Sequence, residues 1–82
     1  MENSRVAIIS MIIENDDCAN DVNNLLHEYR QYIRGRMGLP YAERGVNIIC
    51  VVVDAPDDAI SALAGKLGRL RGVTSKAVYS KK

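Results

Sequence analysis

Two short stretches of this 82-residue chain carry side chains that could hold a ligand. The first is Glu14-Asn15-Asp16-Asp17, which places three carboxylates in four residues at the end of an apolar run. Acidic groups at a helix start complement its partial positive charge, and Asn is a favoured N-cap. Capping explains part of this turn, but three acids exceed what a cap needs. Glu14, Asn15 and Asp16 are therefore candidates to meet polar groups of a ligand. The second stretch is Tyr32-Ile-Arg-Gly-Arg-Met-Gly-Leu-Pro-Tyr41. Arg34 and Arg36 are two residues apart, which on a strand predicts one shared face. Two parallel guanidiniums can clamp a carboxylate or phosphate. The competing reading is a solvated edge or an ion pair between subunits. Gly35 between them permits close approach of a ligand or another chain.

Other chemistries lack their residues. His27 is the only histidine, and Cys18 and Cys50 lie far apart in sequence, with no C-x-x-C. That excludes a closed transition-metal site within one chain. His27 reads as an exposed helix residue and Cys50 as a core residue. Cys18 falls in a first helical turn, where the dipole can lower a thiol pKa. No Ser/His/Asp set, Walker loop or dinucleotide fingerprint is present. The chain reads as a non-enzyme that needs no cofactor.

The balance of 11 basic and 10 acidic residues leaves a net charge of +1, with no bulk attraction to nucleic acid or membrane. Trp and Phe are absent, so base-stacking platforms are few, and direct nucleic-acid binding is not expected. No leader pattern or apolar run of spanning length is visible, and two free cysteines suit a reducing compartment, so the expected location is cytoplasmic.

The elements that must position these residues follow from an internal repeat. Val6-Ala-Ile-Ile-Ser-Met-Ile-Ile-Glu14 aligns with Val46-Asn-Ile-Ile-Cys-Val-Val-Val-Asp54 at an offset of 40, and Asp17 and Ala19 match Asp57 and Ala59. Each half reads as a strand, an acidic turn and a helix. Val22, Leu25, Leu26 and Tyr29 recur at helical spacing, as do Ile60, Leu63, Ala64, Leu67 and Leu70. Gly72 marks the stop of the second helix. Gln31 to Met37 is the expected second strand, broken by Gly38-Leu39-Pro40, and Val73 to Tyr79 the last. The order βαββαβ predicts an α+β, ferredoxin-like two-layer sandwich with a four-stranded antiparallel sheet, one domain over residues 1–82.

In such a sandwich helices cover one sheet face only. Yet the first and third strands are apolar on both faces. Val6, Ile8 and Ile12 oppose Ile9, Met11 and Ile13; Ile48, Cys50 and Val52 oppose Ile49, Val51 and Val53. An uncovered apolar face usually marks an interaction site. A homo-oligomer, dimer or tetramer, is expected, with Ile9, Met11, Ile13, Ile49, Val51 and Val53 as its interface. A larger protein partner is the alternative occupant.

The segments Val22-Asn-Asn-Leu-Leu-His-Glu-Tyr29, Ile33-Arg-Gly-Arg-Met-Gly-Leu-Pro-Tyr41, Val51-Val-Val-Asp-Ala-Pro56 and Ile60-Ser-Ala-Leu-Ala-Gly-Lys-Leu-Gly-Arg-Leu-Arg-Gly-Val73 resemble the small ACT-like proteins grouped as iron-only hydrogenase system regulators. The resemblance implies a ferredoxin-like fold related to ACT domains and to the ligand-binding half of nickel-responsive repressors. It also implies a small molecule bound between subunits near the first strand-to-helix turn, here Glu14 to Asp17. Nickel sites of that kind use several histidines, a pattern from which this chain departs. The expected function is an oligomeric regulatory domain of an iron-only hydrogenase system that senses a small ligand at a subunit interface. The alternative is a protein-interaction module without such a ligand.

Overall fold

The two apolar half-repeats form the two central strands of one sheet. The structure is a computed structural model and describes residues 3–82. Its elements are β1 (Ser4–Ile13), α1 (Ala19–Glu28), β2 (Ile33–Tyr41), β3 (Val46–Pro56), α2 (Asp57–Gly68) and β4 (Val73–Tyr79). The strands lie in the order β2-β3-β1-β4, all pairs antiparallel. This is the expected ferredoxin-like βαββαβ fold. Ser10 and Cys50 are equivalent positions of the repeat, and they face each other across β1 and β3. The pseudo-two-fold axis of the domain therefore passes between them, and the two acidic turns lie at opposite ends of the sheet.

The helices cover the face that carries Ile9, Met11, Ile13, Val51 and Val53, each at most 2% exposed. Val22 and Leu26 of α1, with Ile60, Leu63 and Leu67 of α2, close over it, and Ile49 packs against the margin. Burial of each such side chain contributes roughly 1.5–3 kcal/mol. This corrects the expected interface. Ile9, Met11, Ile13, Ile49, Val51 and Val53 belong to the domain's own core. Both faces of these strands are equally apolar, so periodicity could not say which one the helices would take.

The second strand is also longer than expected. A short 3-10 turn, Arg30–Tyr32, precedes it, and pairing with β3 continues through Gly38↔Ile49, Leu39↔Ile48 and Pro40↔Asn47. Gly38-Leu39-Pro40 does not break the strand, because β2 is an edge, where a missing Pro N–H can face away from the ladder. A bulge between Ile33 and Gly35 leaves Arg34 as the extra residue.

Candidate functional site

The acidic turn is built by the ends of β1 and α1 and fastened to the α2–β4 connection. The Glu14 N–H donates to the Gly72 carbonyl at 2.7 Å. Asn15 Oδ1 accepts from the Asp17 N–H at 3.0 Å, capping the 3-10 turn Asp16–Cys18 that leads into α1. The Cys18 thiol donates to the Arg71 carbonyl and is buried. Cys18, where the 3-10 turn meets the start of α1, is thus a packed, hydrogen-bonded residue and not an open thiol. Gly72 has φ +83°, and a Cβ there would lie 2.6 Å from Asn15 Cβ, so the two turns touch backbone to backbone. Glu14, Asp16 and Asp17 are exposed and join no ion pair among the described residues. The equivalent turn at the other end differs, since Asp57 pairs with Arg5 at 3.3 Å.

The two arginines of β2 take separate partners. Arg36 Nη2 donates to Asn23 Oδ1 on α1 at 3.0 Å, and Arg34 Nη1 reaches the Gln31 carbonyl at 3.4 Å. The bulge at Arg34 interrupts the ladder between them, and each guanidinium is engaged with its own partner rather than paired over one ligand position. Arg36 instead borders a groove of about 330 Å³ between the start of α1 and the β2–β3 ladder. Its apolar wall includes Ile13, Ala19, Val22 and Ile49, and Asn23 and Asn47 add amides. Asp16 borders an adjoining hollow of about 290 Å³ that shares Pro40 and Asn47 with the groove. Glu14, Asn15 and Arg34 line neither. Of the five candidate ligand residues, Arg36 and Asp16 thus lie at neighbouring concavities. The groove exists because the β2 positions facing α1 beyond Arg36 are Gly38 and Pro40, which fill little space.

The uncovered sheet face forms the second candidate surface. Among the described residues, Val6, Ile8, Ile12, Met37, Leu39, Tyr41, Val52 and Val78 are the large apolar residues that stay exposed, from 38% to 69%. Strand register puts all eight on this one face. At its centre Ser10 Oγ lies 3.5 Å from Cys50 Sγ, and Lys76 of β4 pairs across from Ser10. Cys50 is therefore on the open face, half-buried, rather than in the core. A shallow hollow of about 350 Å³ runs past Ser10, Ile12, Ile48, Cys50, Thr74 and Lys76.

Elsewhere the chemistry is sparse. Lys66 sits 4.0 Å from Glu28, with its ammonium 5.2 Å from the centre of the Tyr29 ring. The Tyr29 hydroxyl, more than the Glu28 charge, holds its pKa above the usual 10.5. His27 is exposed on α1. Among the described residues no three His, Cys, Asp or Glu side chains gather as metal ligands, and no helix is long and apolar enough to cross a membrane.

Comparison with known proteins places this architecture. Residues 5–77 match the profile of the TM1266-like family, described as "Iron-only hydrogenase system regulator, putative". The chain belongs to this family. TM1266 from Thermotoga maritima, itself described as uncharacterized, has a solved structure that is 35% identical with a TM-score of 0.91, over 95% of this chain and 99% of that one. A formyltetrahydrofolate deformylase from Pseudomonas putida KT2440 matches at 20% identity and a TM-score of 0.66, over 89% of this chain and 28% of that one. That likeness is one of fold. No curated protein matches the chain.

Proposed function

We propose that this member of the iron-only hydrogenase system regulator family is a non-catalytic regulatory domain that works as a homo-oligomer. Its subunits associate through the uncovered sheet face, and a small ligand biases their arrangement. One observation carries the reading: among the described residues, every large apolar residue left exposed lies on that face. Four strands spaced about 4.8 Å, each roughly 30 Å long, give a footprint of roughly 600 Å² before side-chain relief is counted. A standard interface buries about 800 Å² per partner, so one such face matches one side of a stable contact. The pseudo-two-fold axis through Ser10 and Cys50 makes the face near-symmetric about its centre, which suits packing against a second copy. Lys76 is the one basic side chain near that centre, paired in register with Ser10.

Regulation then requires a ligand that prefers one arrangement. A tenfold preference corresponds to about 1.4 kcal/mol. Sedimentation velocity on the wild type and on Ile8→Lys and Val52→Lys variants tests the association. The wild type is expected to sediment as a dimer or larger, and both variants as folded monomers. A wild type that stays monomeric into the submillimolar range contradicts the reading. It would leave a larger protein partner as the occupant of the face.

A further inference from the structure

We propose that the groove between α1 and β2 binds a small monocarboxylate with a short aliphatic body, held by Arg36 and Asn23. This deepens the ligand part of the reading above and rests on it. Arg36 is a cation without a carboxylate partner among the described residues, beside an apolar wall. Its hydrogen bond to Asn23 Oδ1 fixes the guanidinium and uses one of five N–H donors, leaving others for an oxygen pair. Asn23 and Asn47 offer further amide donors at the groove's border. A volume of about 330 Å³ lies at the small end of ligand pockets. Ile13, Ala19, Val22 and Ile49 would meet the aliphatic part.

The same geometry argues against an α-amino acid. Asp16, the acidic side chain that borders the adjoining hollow, sits beyond Pro40 and Asn47. Among the described residues no carboxylate lines the groove, so an ammonium next to the bound carboxylate would find no acidic partner there. The class is a carboxylate without an adjacent amine.

Gly38 provides a test that spares the fold. A Cβ there meets only the Ile48 carbonyl, at the ordinary contact distance of 3.9 Å. Gly38→Val therefore fills the groove from an edge strand that accepts β-branched residues. The probes are sodium butyrate and pentanoate, with butanol, butylamine and 2-aminobutyrate for comparison. Binding is followed by NMR shifts of the Arg36 Nε–H, the Asn23 side-chain amide and the Ala19 and Val22 methyls.

Both carboxylates should shift these signals, and the comparison compounds should bind at least tenfold more weakly. Arg36→Gln and Gly38→Val should each weaken binding at least tenfold, with an unchanged amide fingerprint elsewhere. Binding that survives both substitutions, equal binding of 2-aminobutyrate, or no carboxylate binding at all overturns the proposal. The groove is on the helix side, so the titration is repeated in monomeric Ile8→Lys. Butyrate binding without any change in subunit assembly would support the groove and refute its regulatory use. A stable oligomer that binds no carboxylate would overturn the groove and leave the assembly standing.

Discussion

Replacing Gly72 with Ala should damage the domain far more than the same change at Gly45. Both glycines occupy the left-handed region, with φ of +83° and +68°. A Cβ in that region costs about 1–2 kcal/mol. At Gly45 nothing lies within 4 Å of the added atom, so that cost is the whole effect. At Gly72 the added atom meets Asn15 Cβ at 2.6 Å and Asn15 N at 3.3 Å. The overlap is with the start of the acidic turn, whose backbone is tied to Gly72 by the Glu14 N–H. Relieving it adds about 1–3 kcal/mol, the usual range for overpacking, for a total of roughly 2–5 kcal/mol. In a domain of this size each 1 kcal/mol moves Tm by about 4–8 °C. Thermal unfolding followed by circular dichroism, at one protein concentration because association adds stability, should put Gly72→Ala below Gly45→Ala by at least about 4 °C. Equal melting temperatures would refute the claim that the acidic turn is clamped by the α2–β4 connection.

The two sides of β1 should respond differently. Ile9→Ala opens a cavity and should cost about 2–5 kcal/mol in urea unfolding, whereas Ile8→Ala, measured in a monomeric background, should cost less than about 1 kcal/mol. Asp57→Asn removes an exposed ion pair with Arg5 and should change stability by less than about 1 kcal/mol. Lys66 is raised above 10.5 in the folded state, so its contribution to stability is present below pH 10.5 and is lost as pH rises through the folded value. Tyr29→Phe removes the main cause, and an NMR titration of Lys66 should then show a lower pKa than in the wild type.

Strand order, helix positions and the surplus of apolar residues were all legible in the sequence. The repeat of Val6–Glu14 in Val46–Asp54 identified the central strands, and the spacing of Ile60, Leu63 and Leu67 identified the buried stripe of α2. Which face the helices cover was not legible, since Ile8 and Ile9 are the same residue type on opposite sides. The bulge at Arg34 leaves no mark in the sequence, so strict alternation from Arg34 to Arg36 could not be read from spacing alone. The continuation of β2 through Pro40 was hidden by a rule that holds for central strands and lapses at edges. The groove needed the register of β2 against α1, yet its signal was present: a glycine and a proline two apart on the strand face beyond an arginine. The repeated acidic turns looked alike in sequence and differ in space, because Arg5 neutralises only the second.

The central claim is that the open sheet face is covered in the assembled protein. Cys50 reports on it directly, for it lies half-buried at the centre of that face, while Cys18 is buried in the subunit itself. Iodoacetamide labelling of the native wild type, read by mass spectrometry at each cysteine over a dilution series, measures the cover. The account predicts that Cys50 is protected nearly as well as Cys18 in concentrated protein, and that it reacts progressively faster on dilution and at once in Ile8→Lys. Rapid labelling of Cys50 at every concentration, matching the Ile8→Lys rate, would contradict it.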